Sequence, residues 1–313
     1  MATVSRVLNG SERVSARTAE KVRAVVTASG YIPNLLAGSL ASSRSRLVAV
    51  VVPEIGLSLF GPTIQSMADT LWENGFHVLL AQTGSHDERQ DEIVASVLGR
   101  RPDGVILTGV TTGEILRGRL RHSTTPIIET WDLPAEPLDM AIGFSHESVG
   151  RELEGYATGR GYRAPLLLCA DSLRAKARKD GFLAALRERG SPAAPCYLTG
   201  SPSTVRHGRE GLTRALEDGL RPDVVVCSSD LMALGVLMEA QRRGLSVPGD
   251  LAVIGFGAQA FSEEVQPELT TVQIDGAMIG RKSVDFLIRR TQGLRPEPAI
   301  IDIGFQILAR QSA

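Results

Sequence analysis

From Leu47 onward, short apolar runs alternate with longer segments whose apolar positions recur every three or four residues. Leu47-Val48-Ala49-Val50-Val51-Val52 is apolar at every position, the pattern of a strand covered on both faces of a parallel sheet. Pro62–Asn74 has helical spacing, with Ile64, Met67, Ala68 and Leu71 on one side. The same alternation predicts strands at Phe76–Gln82, Gly104–Thr108, Pro126–Glu129 and Met140–Phe144, with a charged helix at Asp87–Arg100. It then restarts. Helices are predicted at Glu147–Gly159, Ala175–Arg189, Val205–Glu217, Asp230–Arg243 and Ala277–Gln292, and strands at Ala164–Ala170, Val224–Cys227, Leu251–Gly255 and Ala299–Phe305. Strand-helix alternation of this kind predicts α/β architecture in two doubly wound, Rossmann-like lobes around a cleft.

The first 46 residues have a different pattern. Val4, Val7 and Leu8 fall at i, i+3 and i+4 and share one face of a short helix, while Thr3, Ser5, Arg6 and Asn9 occupy the other. Asn9-Gly10 ends that helix, since both residues tolerate left-handed backbone. A second helix starts with Ser15 as N-cap, carries Val22, Val25 and Val26 on its apolar stripe, and stops at Gly30. Charge sharpens the division. Residues 1–46 hold seven basic and two acidic groups, net +5, whereas the remainder holds 27 basic and 33 acidic, net −6. A basic arm on an acidic body suits a nucleic-acid contact region joined to a domain that stays off the DNA.

These residues carry a resemblance. Thr3-Val4-Ser5-Arg6-Val7-Leu8-Asn9 resembles the recognition helix of the lactose-repressor (LacI) family of transcription regulators, and Tyr31-Ile32-Pro33-Asn34 resembles the close of that family's headpiece. Leu35–Ser43 is similar to its hinge helix, with Leu40 where the family wedges a leucine into the minor groove. Gly38 stands where arginine is common. The resemblance implies DNA contacts by Thr3, Ser5, Arg6, Asn9, Asn34 and Leu40. It also implies a periplasmic-binding-protein-like core in which the chain crosses between lobes three times, near Ser145, Ile274 and Phe305. The expected divisions are a partial helix-turn-helix headpiece at 1–32, a hinge at 33–46 and a core at 47–313, with an N-lobe of about 47–144 plus 275–304 and a C-lobe of about 145–273. Met1 lies where the family's recognition helix has already begun, so the first helix of the helix-turn-helix is missing from this sequence; either the true start lies upstream of Met1 or this is a truncated form.

Ligands of open α/β sheets bind beyond the carboxyl ends of the strands, so the residues that follow each strand are the candidates. Phe60 follows the first strand; it can lie against a ligand or simply pack at the start of a helix. Glu129-Thr130-Trp131-Asp132 offers an indole face beside two carboxylates, suited to a polyol, with a lobe-edge tryptophan as the other reading. Arg178 matches the family's cleft arginine, and Ser229 takes the place of a usual asparagine, with Asp230 as the expected N-cap of the next helix. Gln273 adjoins a crossing. Gly257 stands where the family has an aspartate that grips sugar hydroxyls, which argues against a simple ring sugar. Glu129–Asp132, Asp139–Phe144 and the Cys227 segment resemble the gluconate-operon repressor branch, so the implied effector is a sugar or sugar acid such as gluconate.

The expected protein is a ligand-responsive repressor and homodimer on a palindromic operator, with helices near Pro62–Asn74 and Asp230–Arg243 at the dimer surface. No phosphate-binding loop, dinucleotide fingerprint, metalloprotease motif or nucleophile elbow occurs, and the five histidines are scattered, so neither enzyme activity, cofactor nor metal is expected. No run of about 18 apolar residues exists, and the N-terminus lacks a signal peptide's apolar core. Cys169, Cys196 and Cys227 read as reduced core residues, and the expected location is the cytoplasm. A solute-binding protein without DNA binding is the alternative; an enzyme using Glu129 or Asp132 lacks any partner motif.

Overall fold

The computed structural model describes residues 2–8, 14–31, 45–54, 58–84, 87–109, 113–294 and 297–313, in two units divided between Ser45 and Arg46. In the first unit, α1 spans Ala2–Leu8 and α2 spans Ala16–Ser29. Thr3 and Arg6 are exposed on α1 and Val7 is buried. Ser15 caps α2, accepting from the Thr18 N–H, and Gly30 ends it at φ 62°. Val25, expected on the apolar stripe, is 66% exposed, because α2 buries no residue completely. Ser5 lies within α1. Asn9, Asn34, Leu40 and the expected hinge lie outside the described residues.

The second unit holds two sheets. The first comprises β1 (Leu47–Val52), β2 (His77–Gln82), β3 (Gly104–Thr108), β4 (Ile127–Thr130), β5 (Met140–Gly143) and β11 (Ile300–Asp302), in the order β11-β5-β4-β3-β1-β2 and parallel throughout. Helices α3 (Gly61–Glu73) and α10 (Gly276–Thr291) cover one face, and α4 (Asp87–Gly99) and α5 (Glu114–Arg121) cover the other. Side chains alternate between the two layers along each strand, which is why these strands read as unbroken apolar runs.

The second sheet comprises β6 (Pro165–Ala170), β7 (Cys196–Thr199), β8 (Val224–Cys227), β9 (Ala252–Phe256), β10 (Thr270–Gln273) and β12 (Gln306–Leu308), in the order β12-β10-β9-β8-β6-β7, with β12 antiparallel to β10. Helices α6 (His146–Gly159) and α7 (Leu173–Glu188) pack together, as do α8 (Val205–Glu217) and α9 (Asp230–Arg242). Glycines let these helices touch. A Cβ on Gly150 would lie 1.9 Å from the Arg178 carbonyl oxygen, and one on Gly181 2.2 Å from that of Glu147. Gly208 and Gly235 play the same part between α8 and α9.

The chain passes between the sheets after β5, after β10 and after β11. The strand expected over Ala299–Phe305 is shorter, β11 ending at Asp302; residues 303–305 make the third passage, and β12 follows it in the other sheet. Three elements have no sequence counterpart. β7 and β10 are short strands, and α5 carries three arginines against only three apolar residues, Ile115, Leu116 and Leu120. One hydrophobic cluster runs from β1 through Phe60, Trp131, Phe144 and Phe256 to α6, so the two sheets share a continuous core.

Candidate effector site

The side chains at the carboxyl ends of the two sheets converge on the first crossing. Phe60, just before α3, is 3% exposed; its ring meets the edge of Trp131 at 5.0 Å, and Trp131 meets Phe144 at 6.0 Å. Trp131 follows β4 in left-handed backbone, φ 70°, an arrangement that a bulky residue adopts only where its surroundings impose it. Gly143 helps impose it, because a Cβ there would lie 2.4 Å from the Asp132 carbonyl oxygen.

His146 opens α6 directly after the crossing. Arg178 Nη1 donates to its Nδ1 at 2.9 Å, and its Nε2–H donates to the Trp131 carbonyl at 3.0 Å, 3.3 Å from Asp132 Oδ1. An arginine can only donate, so Nδ1 carries a lone pair and the ring is neutral. Burial first, then the charges of Arg178 and Arg174, pulls the His146 pKa down to about 2. Arg178 also donates from Nη2 to the Ser228 carbonyl at 3.0 Å and lies 3.7 Å over the Phe256 ring. Burial lowers its pKa to about 10, and it stays charged at neutral pH. A cavity of about 30 Å³ beside it, lined by Cys169, Phe182 and Ser228, has room for a water or two but not for a sugar.

Arg174, one helical turn earlier, was not singled out by the sequence. Its Nε donates to Asp132 Oδ2 at 2.7 Å, and its Cζ lies 5.6 Å over Phe60, so this residue of α7 ties the second sheet's layer to the first. Arginine at the start of a helix reads as solvated, and only its tertiary partners mark it.

Two expectations change. Glu129 is fully buried within β4, and its carboxylate takes Arg117 of α5 at 3.2 Å and the Leu138 N–H at 2.8 Å. Strand alternation turns it to the α5 layer, with Ile127, and away from Trp131. It is a layer-packing ion pair, not half of a polyol platform. Asp230 is not the cap of α9; Ser229 is, accepting from the Met232 N–H at 3.2 Å. Asp230 instead ties Thr271 Oγ1 at 2.6 Å and the Gln259 N–H at 2.7 Å, and burial raises its pKa. Gln273 ends β10, exposed, beside the second crossing. At Gly257 the backbone has φ 129°, and a Cβ would lie 3.2 Å from Leu59. A side chain here would be strained, and it would press on the Leu59 side chain. Among the described residues no cluster of His, Cys, Asp or Glu could hold a metal, and no helix is long and apolar enough to cross a membrane.

Residues 155–313 match a family described as periplasmic binding protein-like domain, and residues 1–34 match the bacterial regulatory proteins of the lacI family. The chain is 31% identical to the HTH-type transcriptional regulator GntR of Pseudomonas aeruginosa, over 99% of this chain and 91% of that one. It is 28% identical to GntR of Escherichia coli K12 (97% and 92%) and 27% identical to catabolite control protein A of Priestia megaterium (100% and 95%). A solved LacI-family transcriptional regulator from Silicibacter pomeroyi superposes with a TM-score of 0.94 at 28% identity, covering 99% of this chain and 95% of its own. The lac repressor dimer bound to operator superposes with a TM-score of 0.85 at 24% identity, covering 99% and 94%, and shares the fold. The curated relatives are transcriptional regulators rather than enzymes, and with a lacI-type segment leading into two such lobes, this chain belongs to the LacI family of DNA-binding transcriptional regulators.

Proposed function

We propose that the effector of this regulator is a sugar acid, with gluconate as the reference compound, and that binding it between the lobes changes affinity for a palindromic operator. The observation that carries this reading is the charge at the crossing. Arg174 pairs with Asp132, while Arg178 is held only by the neutral His146 and the Ser228 carbonyl, which leaves a positive excess for an anion to balance. Phe60 and Trp131 form the buried apolar layer behind this charge; Ser229 and Gln273, at the carboxyl ends of β8 and β10, are the further candidates. Gly257 removes the hydroxyl grip that suits a ring sugar. The resemblance of the sequence to the gluconate-operon repressor branch points the same way. Isothermal titration of the full chain with D-gluconate tests it. Micromolar binding is expected, and no heat with gluconate while a neutral sugar binds defeats it.

The protein acts in the cytoplasm as a homodimer whose surface includes α3 and α9, where Trp72 and Met238 stand exposed. Effector and operator are coupled reciprocally, so each changes the other's affinity by the same factor. DNA is read by Thr3, Ser5, Arg6 and Asn9, with Asn34 and Leu40 at the hinge. Arg6→Ala is expected to weaken a palindromic operator by about 10- to 100-fold in an electrophoretic shift. Gluconate binding by the core should be unchanged, since Arg6 belongs to the other unit. Unaltered operator binding by this variant removes Arg6 from the reading surface.

A further inference from the structure

Five buried side-chain N or O atoms among the described residues have no hydrogen-bond partner: Thr63 Oγ1, Trp131 Nε1, Arg174 Nη2, Glu154 Oε1 and His207 Nδ1. Folded proteins hold few such atoms, and each calls for a cause. Two of the five belong to residues packed on a single ring, that of Phe60, and a third lies on the helix that Phe60 precedes. Trp131 meets the ring edge-on, the Arg174 guanidinium lies over it, and Thr63 sits three residues further along the same helix start. Thr63 and the indole both lie against Gly276 at the start of α10. A Cβ on Gly276 would lie 2.6 Å from Thr63 Oγ1 and 3.3 Å from Trp131 Cζ2, on the ring edge that carries Nε1.

We propose that Arg174, Trp131 and Thr63 read the acidic group of the effector, with Arg174 the residue that makes this site specific for a carboxylate over a hydroxyl; this rests on the sugar-acid reading above. The chemistry of the unpaired atoms carries it. Arg174 Nη2 and Trp131 Nε1 can only donate, and Thr63 Oγ1 can donate or accept, so their complement is a cluster of acceptor oxygens. The arginine is already oriented for the task. Asp132 holds its Nε edge, which leaves the terminal amino groups to form the paired contacts a carboxylate takes. Its position is built into the backbone as well. Gly109, at φ 117°, makes room for it, since a Cβ there would lie 2.7 Å from Nη2. Arg178 differs. Its two terminal nitrogens hold His146 and Ser228 and its face covers Phe256, so it positions the crossing rather than the ligand.

The test compares D-gluconate with D-glucitol, the same carbon chain without the carboxylate, by titration calorimetry on the full chain. The native protein is expected to prefer gluconate. Arg174→Gln should lower gluconate affinity by about 10- to 100-fold and leave glucitol affinity unchanged, with Arg174→Lys in between. Trp131→Phe keeps an aromatic ring but removes the indole N–H together with part of the ring; because the packing loss acts on both ligands, the gluconate-to-glucitol ratio should still fall by several-fold. An Arg174→Gln protein that keeps the native ratio overturns the assignment while leaving the sugar-acid reading intact. A native protein that does not bind gluconate, or binds it no better than glucitol, overturns both. Should Arg174→Gln fail to fold, Trp131→Phe and Thr63→Val decide: an unchanged ratio in both overturns the assignment.

Discussion

Gly150→Ala is expected to lower stability by about 3 kcal/mol, close to the upper end for an overpacked core, and to drop the thermal midpoint by about 10 °C. The new methyl would sit 1.9 Å from the Arg178 carbonyl oxygen and 2.7 Å from the Phe182 nitrogen. Neither neighbour is a flexible side-chain tip. Both are backbone in the middle of α7, so the two helices must part. Gly181 faces Glu147 in the same manner, and the contact cannot slide to a roomier register. Parting the helices also moves Arg178 and His146, so the variant should lose effector response before it loses its fold. Gly159→Ala is the control. That glycine ends the same helix, nothing lies within 4 Å of its would-be Cβ, and the substitution should be neutral or raise stability slightly. Equal melting curves for the two variants would show that the α6–α7 contact is looser than described.

Acidification gives the second large effect. The His146 imidazole has an unfolded pKa of 6.5 and a folded pKa of about 2. Below pH 6.5 the unfolded chain therefore takes up a proton that the folded chain refuses, and stability falls as pH falls. The loss approaches 1.36 kcal/mol per pH unit, or about 2 kcal/mol between pH 7 and pH 5 from this group alone. It continues toward pH 2, where the folded state begins to accept the proton. His146→Gln can keep a donor toward the Trp131 carbonyl and has nothing to titrate. Urea unfolding of both proteins at pH 7 and pH 5 isolates the contribution as the difference between their pH dependences. Identical dependences would mean that the ring is protonated in the folded protein and that Arg178 does not hold its Nδ1.

Much of the fold was legible. Fifteen strand and helix segments of the core read correctly because buried parallel strands are apolar on both faces and the helices that cover them keep a strict period. What escaped were elements held by partners distant in sequence. β10 is four residues long and is defined by β9 on one side and β12 on the other, and no local signal splits residues 299–308 between two sheets. The site was legible in part. Phe60, Trp131 and Arg178 do meet around the first crossing. Glu129 was misplaced because it adjoins Trp131 in sequence, while the alternation of β4 sends its side chain to the opposite layer. Arg174 and His146 were missed for the converse reason: each is unremarkable in its own segment and becomes informative only through Asp132, Phe60 and Arg178, contributed by other elements.

The two tryptophans stand in opposite environments, Trp72 at 71% exposure on α3 and Trp131 at 1% against Phe60. Their emission should therefore separate cleanly. A soluble quencher such as iodide will extinguish the red-shifted component and spare the blue one. A Trp72→Phe protein then carries a single tryptophan, at the junction of the lobes, and with excitation that spares the four tyrosines occupancy there can be followed by light without any attached dye.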